Sequence, residues 1–243
     1  MDANVIAAMA RWPNVPDVYG WMSLTESGQW RLHPRGDAWQ FDMPAVDGVQ
    51  KNDDSHVAGN VSAGESITSP QILQFIDRNY TCDKQGQWFF QNGPQKVYVR
   101  LNAAPYILHT VGDSVSKLCL RTHNGLDAKA IAAWWLDDTG KLYAQTEHGP
   151  GLVAGRDLAA VLDSMRTPEG LGILDVLGDP SQPDGERAVA PVPLVSDYAP
   201  SALIRPTGST VLLRRCAAMD IPRNLRFVRQ PRPAQGSAAA PEK

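Results

Sequence analysis

The feature that most constrains this chain is a glycine turn that occurs three times between short apolar strands, at Gly28, Gly86 and Gly140. Alternate residues of a strand face the same side, so side chains at fixed even offsets from each glycine share one face of a hairpin. Glycine supplies the positive φ that a tight hairpin turn needs. Mostly large apolar side chains occupy three fixed offsets from the glycine. Six residues before it stand Met22, Tyr80 and Trp134, and four before it stand Leu24, Cys82 and Leu136. Two residues after it stand Trp30, Trp88 and Leu142.

Short amphipathic segments separate the hairpins and predict helices over 3–11 and 157–165, with a further short one near 170–177. Another helix is predicted to be capped by Ser69 and to begin at Pro70, with Ile72, Leu73, Phe75 and Ile76 on its buried face. The three glycines are 58 and 54 residues apart, a spacing too irregular for a solenoid. The sequence therefore predicts an α+β fold, with antiparallel sheets of duplicated strand-turn-strand units and a few short helices.

Composition along the chain predicts four segments. Residues 1–43 hold the N-terminal helix and first hairpin unit. Residues 44–66 are rich in Asp, Gly, Ser and Asn, which favours a loop or linker. Residues 67–229 carry the second and third units in the main α+β domain. Residues 230–243 are mostly Pro, Ala, Gly and Ser, and predict a disordered tail.

The segment 83–97 begins Asp-Lys-Gln-Gly-Gln-Trp. It resembles a D-x-x-G-x-W hairpin motif of bacterial domain-of-unknown-function proteins, in which the motif repeats within the chain. The resemblance implies an uncharacterised bacterial protein with a duplicated α+β fold, and it leaves a regulatory role open. It implies no catalytic residues.

Hydrophobic residues make up 43% of the chain and charged residues 20%, which is ordinary globular usage. The acidic N-terminus with its short apolar run is not typical of a secretory signal, and no apolar run is long enough to cross a bilayer. Three widely spaced cysteines, Cys82, Cys119 and Cys216, favour reduced thiols in a core. We expect a cytoplasmic protein without membrane contact.

One serine stands in a possible catalytic context. Gly112-Asp113-Ser114 follows a predicted strand and resembles the nucleophile block of GDSL-type esterases. Those enzymes carry an Asp-x-x-His pair near the chain end, which this sequence lacks. A simple turn is favoured, and Ser114 is kept as the nucleophile of an alternative hydrolase.

The sequence gives less support for a metal or cofactor site than for a catalytic Ser114. The five histidines show no ligand spacing such as H-x-H or H-E-x-x-H, so no metal is expected. Residues 149–155 read G-x-G-x-x-x-G, which favours a connector over a dinucleotide loop, and no cofactor is expected. Adjacent Asp137 and Asp138 are typical of a solvated turn.

The residues from 205 onward carry eight basic side chains and two acidic ones, a net charge of +6, whereas residues 1–204 carry −9. This segment, with its seven arginines, could bind an acidic partner or nucleic acid. Our main interpretation is a non-catalytic binding or regulatory module for an unknown protein or small molecule, which we prefer to an enzyme. The candidate binding residues are Trp88, Trp134, Arg214, Arg215, Arg223 and Arg226.

Overall fold

The computed structural model describes residues 1–39, 64–111, 119–178, 192–195 and 210–233. The chain divides into two compact units. Unit 1 contains Met1–Thr25, Gln29–Asn102 and Val228–Lys243, and unit 2 contains Glu26–Gly28 and Ala103–Phe227. Most of predicted linker 44–66 and of predicted tail 230–243 lies outside the described residues, and the predicted segment boundaries stay predictions.

Unit 1 is a six-stranded sheet with two helices. Its strands lie in the order β3-β2-β1-β6-β5-β4, and β1 runs parallel to β6. Its elements are α1 (Ala3–Arg11), β1 (Val18–Leu24), β2 (Trp30–Leu32), β3 (Glu65–Ser66), α2 (Pro70–Arg78), β4 (Tyr80–Cys82), β5 (Trp88–Asn92) and β6 (Gln95–Leu101).

An aromatic cluster fills the core of unit 1. Trp30 and Trp88 are almost fully buried, and both rings contact Tyr80, with centroids 5.1 and 4.9 Å apart. The Trp30 indole N–H donates to Asp77 of α2 at 3.1 Å, which holds the helix on the sheet. Each tryptophan faces the predicted partner across its hairpin, Leu24 for Trp30 and Cys82 for Trp88.

Unit 2 is an eight-stranded sheet with the order β13-β14-β10-β11-β12-β7-β8-β9. Its buried side chains include Leu108, Leu142, Tyr143 and Leu213. Its elements are β7 (Tyr106–Val111), β8 (Cys119–Thr122), β9 (Asp127–Ala128), β10 (Ile131–Asp137), β11 (Leu142–Thr146), β12 (Gly149–Val153), a 3-10 turn (Gly155–Asp157), α3 (Leu158–Ser164), α4 (Ile173–Gly178), β13 (Val192–Val195), β14 (Thr210–Cys216) and α5 (Ile221–Asn224).

The two sheets share one connectivity over six strands each. Counted from the edge, unit 1 reads β3-β2-β1-β6-β5-β4 and unit 2 reads β9-β8-β7-β12-β11-β10. In both sheets, the first of the six strands in chain order pairs in parallel with the sixth. These pairs are β1 with β6 and β7 with β12. Unit 2 adds β14, parallel to β10, and β13 at that edge. The predicted α+β class is confirmed, with parallel pairs joining the antiparallel hairpins.

A five-residue turn recurs at the ends of the hairpins. Its first residue, Thr or Asp, accepts the backbone N–H of the fifth residue on its side-chain oxygen, and its fourth is a glycine with φ between 77° and 86°. The predicted turns at Gly28, Gly86 and Gly140 have this form, and so do two others. The five turns span 25–29, 83–87, 122–126, 137–141 and 167–171. Since the turn also occurs at positions other than the three predicted hairpins, a duplication of strand-turn-strand units stays a prediction.

Several local expectations differ from the structure. Cys82 and Cys119 are exposed rather than in a core. Cys82 lies on the edge strand β4, and Cys119 is the first residue of β8, before the residues of β8 that pair with β9. Asp137 is a turn residue as expected, but it is buried rather than solvated, with its Oδ1 atom accepting the N–H groups of Thr139 and Lys141. Ser69 stands at the N-cap of α2 without a side-chain cap bond.

Candidate functional site

A histidine–aspartate pair lies at the carboxyl end of the parallel strands β7 and β12. His109 and Thr110 belong to the second half of β7, and Asp157 ends the 3-10 turn that follows β12. The Ala154 N–H donates to the Leu108 carbonyl at 2.9 Å, which prolongs the parallel pairing beyond β12. The chain then turns at Gly155 and brings the Asp157 carboxylate over β7.

The carboxylate of Asp157 is held by two side chains of β7. The Thr110 hydroxyl donates to Oδ1 at 2.8 Å, and His109 Nδ1 lies 3.3 Å from Oδ2. Burial alone would raise the pKa of Asp157, but the hydrogen bonds from Thr110 and His109 outweigh it and lower that pKa. Asp157 is therefore ionised at neutral pH. With the ring proton on Nδ1, His109 donates to this carboxylate and Nε2 is an acceptor, and Arg156, which can only donate, then contacts Nδ1 without a hydrogen bond.

A pocket of about 380 Å³ opens beside this pair in unit 2. Its apolar wall comes from Leu152, Val153, Ala154 and Leu158, and its polar wall from Glu26, Ser27, His109, Lys141 and Arg156. Within it, Lys141 Nζ pairs with Glu26 at 2.6 Å, and an Arg156 guanidinium nitrogen lies 3.3 Å from His109 Nδ1. Pockets that combine apolar walls with a few convergent polar groups are typical of small-molecule sites.

This arrangement offers three kinds of contact to a ligand. Arg156 is largely exposed and presents a guanidinium fork suited to a carboxylate, sulfonate or phosphate. His109 Nε2 can accept a hydrogen bond or a proton. The aliphatic wall can bury an apolar body of the same molecule. In the described ranges, no group of three His, Cys, Asp or Glu side chains is placed to hold a metal ion.

The residues predicted from the sequence lie elsewhere. Ser114 is outside the described residues. Trp88 and Trp134 are 4% and 3% exposed, because both belong to sheet cores, and we do not place them in the site. The predicted role of these two tryptophans in binding a partner stays a prediction.

The predicted arginines are dispersed. Arg214 lies over the Trp135 ring at 5.6 Å, Arg215 is half-buried beside it on β14, and Arg223 pairs with Asp220 at 3.1 Å. Arg226 is exposed and has a positive φ of 56°. Arg205 is outside the described residues. An acidic or nucleic-acid partner for this segment stays a prediction.

His109 and Asp157 escaped the sequence analysis because 48 residues separate them and no motif has that spacing. The available signal was the glycine-rich stretch 149–155 between a strand and a helix, whose last residues, from Leu152 on, line the pocket. Among the described residues, no helix is long and apolar enough to cross a membrane.

A family model for DUF2944, described as a protein of unknown function (DUF2946), matches residues 1–232. The chain belongs to this family. The match confirms a domain of unknown function, whereas the hairpin-motif family suggested by residues 83–97 stays a prediction. No curated protein matches the chain.

Two solved structures resemble the chain, both from the DUF1285 family. The protein from Shewanella baltica OS155, at 1.40 Å resolution, is 14% identical with a TM-score of 0.38, covering 60% of this chain and 92% of its own. The protein from Silicibacter pomeroyi DSS-3, at 2.50 Å, is 15% identical with a TM-score of 0.41, covering 70% and 88%. No residue role is transferred from either.

Proposed function

We propose that the pocket of unit 2 binds a small organic anion with an apolar body, which makes the protein a non-catalytic binding module. The observation that carries this is the convergence of Arg156, Lys141 and His109 on one concave surface with an aliphatic wall. The anionic group would lie against Arg156, with the apolar body against Leu152 and Leu158. A regulatory role would follow if binding changed the affinity for a second partner.

The test uses 8-anilinonaphthalene-1-sulfonate, a fluorescent sulfonate with an aromatic body. We expect saturable binding to the folded protein, weakened about 10-fold or more by Arg156→Gln, because a charge-assisted hydrogen bond contributes about 1.5–3 kcal/mol. Fluorescence titration of the wild type and the variant measures this.

Arg223→Gln is the matched control. Arg223 is also an exposed arginine that pairs with an aspartate, but it does not line the pocket. The affinity of the Arg223→Gln variant for 8-anilinonaphthalene-1-sulfonate should equal that of the wild type. Equal affinity in Arg156→Gln and the wild type would contradict the proposal, and so would the same loss in both variants. Far-UV circular dichroism checks that each variant is folded.

A second candidate function is a hydrolase that uses Ser114. The observation that favours it is the His109–Asp157 pair, because a carboxylate that orients Nδ1 leaves Nε2 free to act as a general base. We expect hydrolysis of p-nitrophenyl acetate that is lost in both Ser114→Ala and His109→Gln. Hydrolysis that survives either substitution, or none in the wild type, rejects this function.

A further inference from the structure

The pocket of unit 2 is lined by a second cationic side chain, Lys141, besides Arg156. Lys141 immediately precedes β11, and the strand order β11-β12-β7 puts the end of β12 between Lys141 and His109. Two strand spacings amount to about 10 Å between the backbones of Lys141 and His109. Because Arg156 lies against His109, the two cations of the pocket stand on opposite sides of β12.

The surface between these cations is apolar and fixed in place. Leu152 and Val153 of β12 are 4% and 1% exposed, so their side chains belong to the packed sheet. The Ala154 N–H donates to the Leu108 carbonyl at 2.9 Å and keeps the end of β12 on β7. A ligand that reaches from Arg156 to Lys141 therefore needs an apolar body that crosses the end of β12.

Lys141 has a fixed backbone and an accessible ammonium group. Its N–H donates to the Oδ1 atom of the buried Asp137 at 2.8 Å. Its Nζ atom pairs with Glu26 at 2.6 Å, and the two side chains are 40% and 47% exposed. Ion pairs at such exposed positions stabilise a protein very little. An anionic group of a ligand can therefore take the place of Glu26 at a small cost in free energy.

Glu26 belongs to a tight turn that is packed against unit 2. A Cβ atom at Gly28 would lie 2.7 Å from the Cβ atom of His123, so the backbone of Gly28 touches this buried histidine closely. The turn cannot move away from the pocket without opening this contact. The Glu26 carboxylate therefore stays within reach of Lys141 and competes with any ligand for it.

We propose that the pocket binds an apolar molecule with an anionic group at each end, in which Lys141 binds the second group and Glu26 is the carboxylate that this group displaces. The proposal rests on the proposed function, since the first anionic group lies against Arg156. Extended dicarboxylates such as octanedioate are ligands of this class. A ligand with one anionic group leaves the pair of Lys141 and Glu26 intact.

The charges around the pocket match a ligand with two anionic groups. Among the described residues that line it, Lys141 and Arg156 are the cations and Glu26 is the carboxylate. Asp157 lies 3.5 Å from Arg156, but the oxygens of Asp157 already interact with Thr110 and His109. Once Glu26 turns toward solvent, both cations are available to the ligand.

The test compares octanedioate with octanoate as competitors of 8-anilinonaphthalene-1-sulfonate, after the affinity of each variant for the dye has been measured. We expect Glu26→Gln to bind octanedioate about 5-fold or more tightly than the wild type does, because Lys141 is then free for a charge-assisted hydrogen bond. Its affinity for octanoate should stay within about 2-fold of the wild type at an ionic strength of about 0.15 M, because salt screens charges that are about 10 Å apart.

Lys141→Gln distinguishes direct contact from charge repulsion. If octanedioate binds Lys141, the gain from Glu26→Gln disappears in the double variant, whereas repulsion by Glu26 would give the same gain with or without Lys141. Asp220→Asn is the matched control, because Asp220 also pairs with a cation, Arg223, at 3.1 Å and does not line the pocket. This control should bind octanedioate as the wild type does.

A gain that is selective for octanedioate and depends on Lys141 supports the proposal. No gain, an equal gain for both carboxylates, or a gain that persists in the double variant overturns it. In those cases, dye binding that is weakened by Arg156→Gln would still support the proposed function. A wild-type protein that binds neither the dye nor the carboxylates overturns both.

Discussion

Replacing Trp88 by alanine should destabilise unit 1 by about 3–5 kcal/mol, the usual cost of deleting a buried aromatic side chain. Trp88 is 4% exposed, contacts Tyr80 and faces Cys82 across the β4–β5 hairpin. The alanine would leave a cavity that these neighbours cannot fill. Urea unfolding followed by far-UV circular dichroism measures the change in free energy.

Trp12→Ala provides the matched control within unit 1. Trp12 is 50% exposed and contacts the Arg11 guanidinium at 4.9 Å, a contact that contributes about 1 kcal/mol or less at the surface. Its unfolding midpoint should stay close to that of the wild type. If Trp88 were instead a surface recognition residue, the two variants would be equally stable, and its burial in the core would be refuted.

Gly151→Ala should destabilise unit 2 by about 1–3 kcal/mol, because a Cβ atom at this position meets packed side-chain atoms. It would lie 2.7 Å from Leu108 Cγ and 2.8 Å from Leu108 Cδ1. Leu108 is fully buried and cannot move aside. The glycine thus allows β12 to lie close to β7, the strand pair that forms the pocket.

Gly155→Ala is the matched control four residues later. A Cβ atom there meets nothing within 4 Å and its φ is not positive, so stability should be unchanged or rise by about 0.4–1 kcal/mol. Thermal unfolding of both variants, followed by circular dichroism, gives the comparison. Equal stability of Gly151→Ala and Gly155→Ala would show that β12 and β7 are less tightly packed than described.

The hairpins could be predicted from the sequence because their determinants are local. A positive φ at Gly86 or Gly140 and a pair such as Leu24 and Trp30 depend only on residues within a few positions. The parallel pairing of β1 with β6 depends on residues more than 70 positions apart. Such long-range pairs leave no periodic trace, so the sheets were expected to be purely antiparallel.

The same difference between local and long-range determinants separates the His109–Asp157 contact from the hydrogen bond between Ser23 and His33. His109 and Asp157 meet only because β12 pairs with β7, so their contact could not be foreseen from spacing. Ser23 and His33 belong to a single predicted hairpin, and its register would have brought them near each other.

The division of the chain has a consequence for biosynthesis. Unit 1 includes residues from Val228 onward, where the Val228 N–H donates to the Gly86 carbonyl and the Leu101 N–H to the Arg229 carbonyl. A ribosome therefore delivers the whole of unit 2 before it delivers the segment that completes unit 1. Until that segment emerges from the ribosome, the amide of Leu101 and the carbonyl of Gly86 lack the backbone partners that Arg229 and Val228 provide in the complete protein.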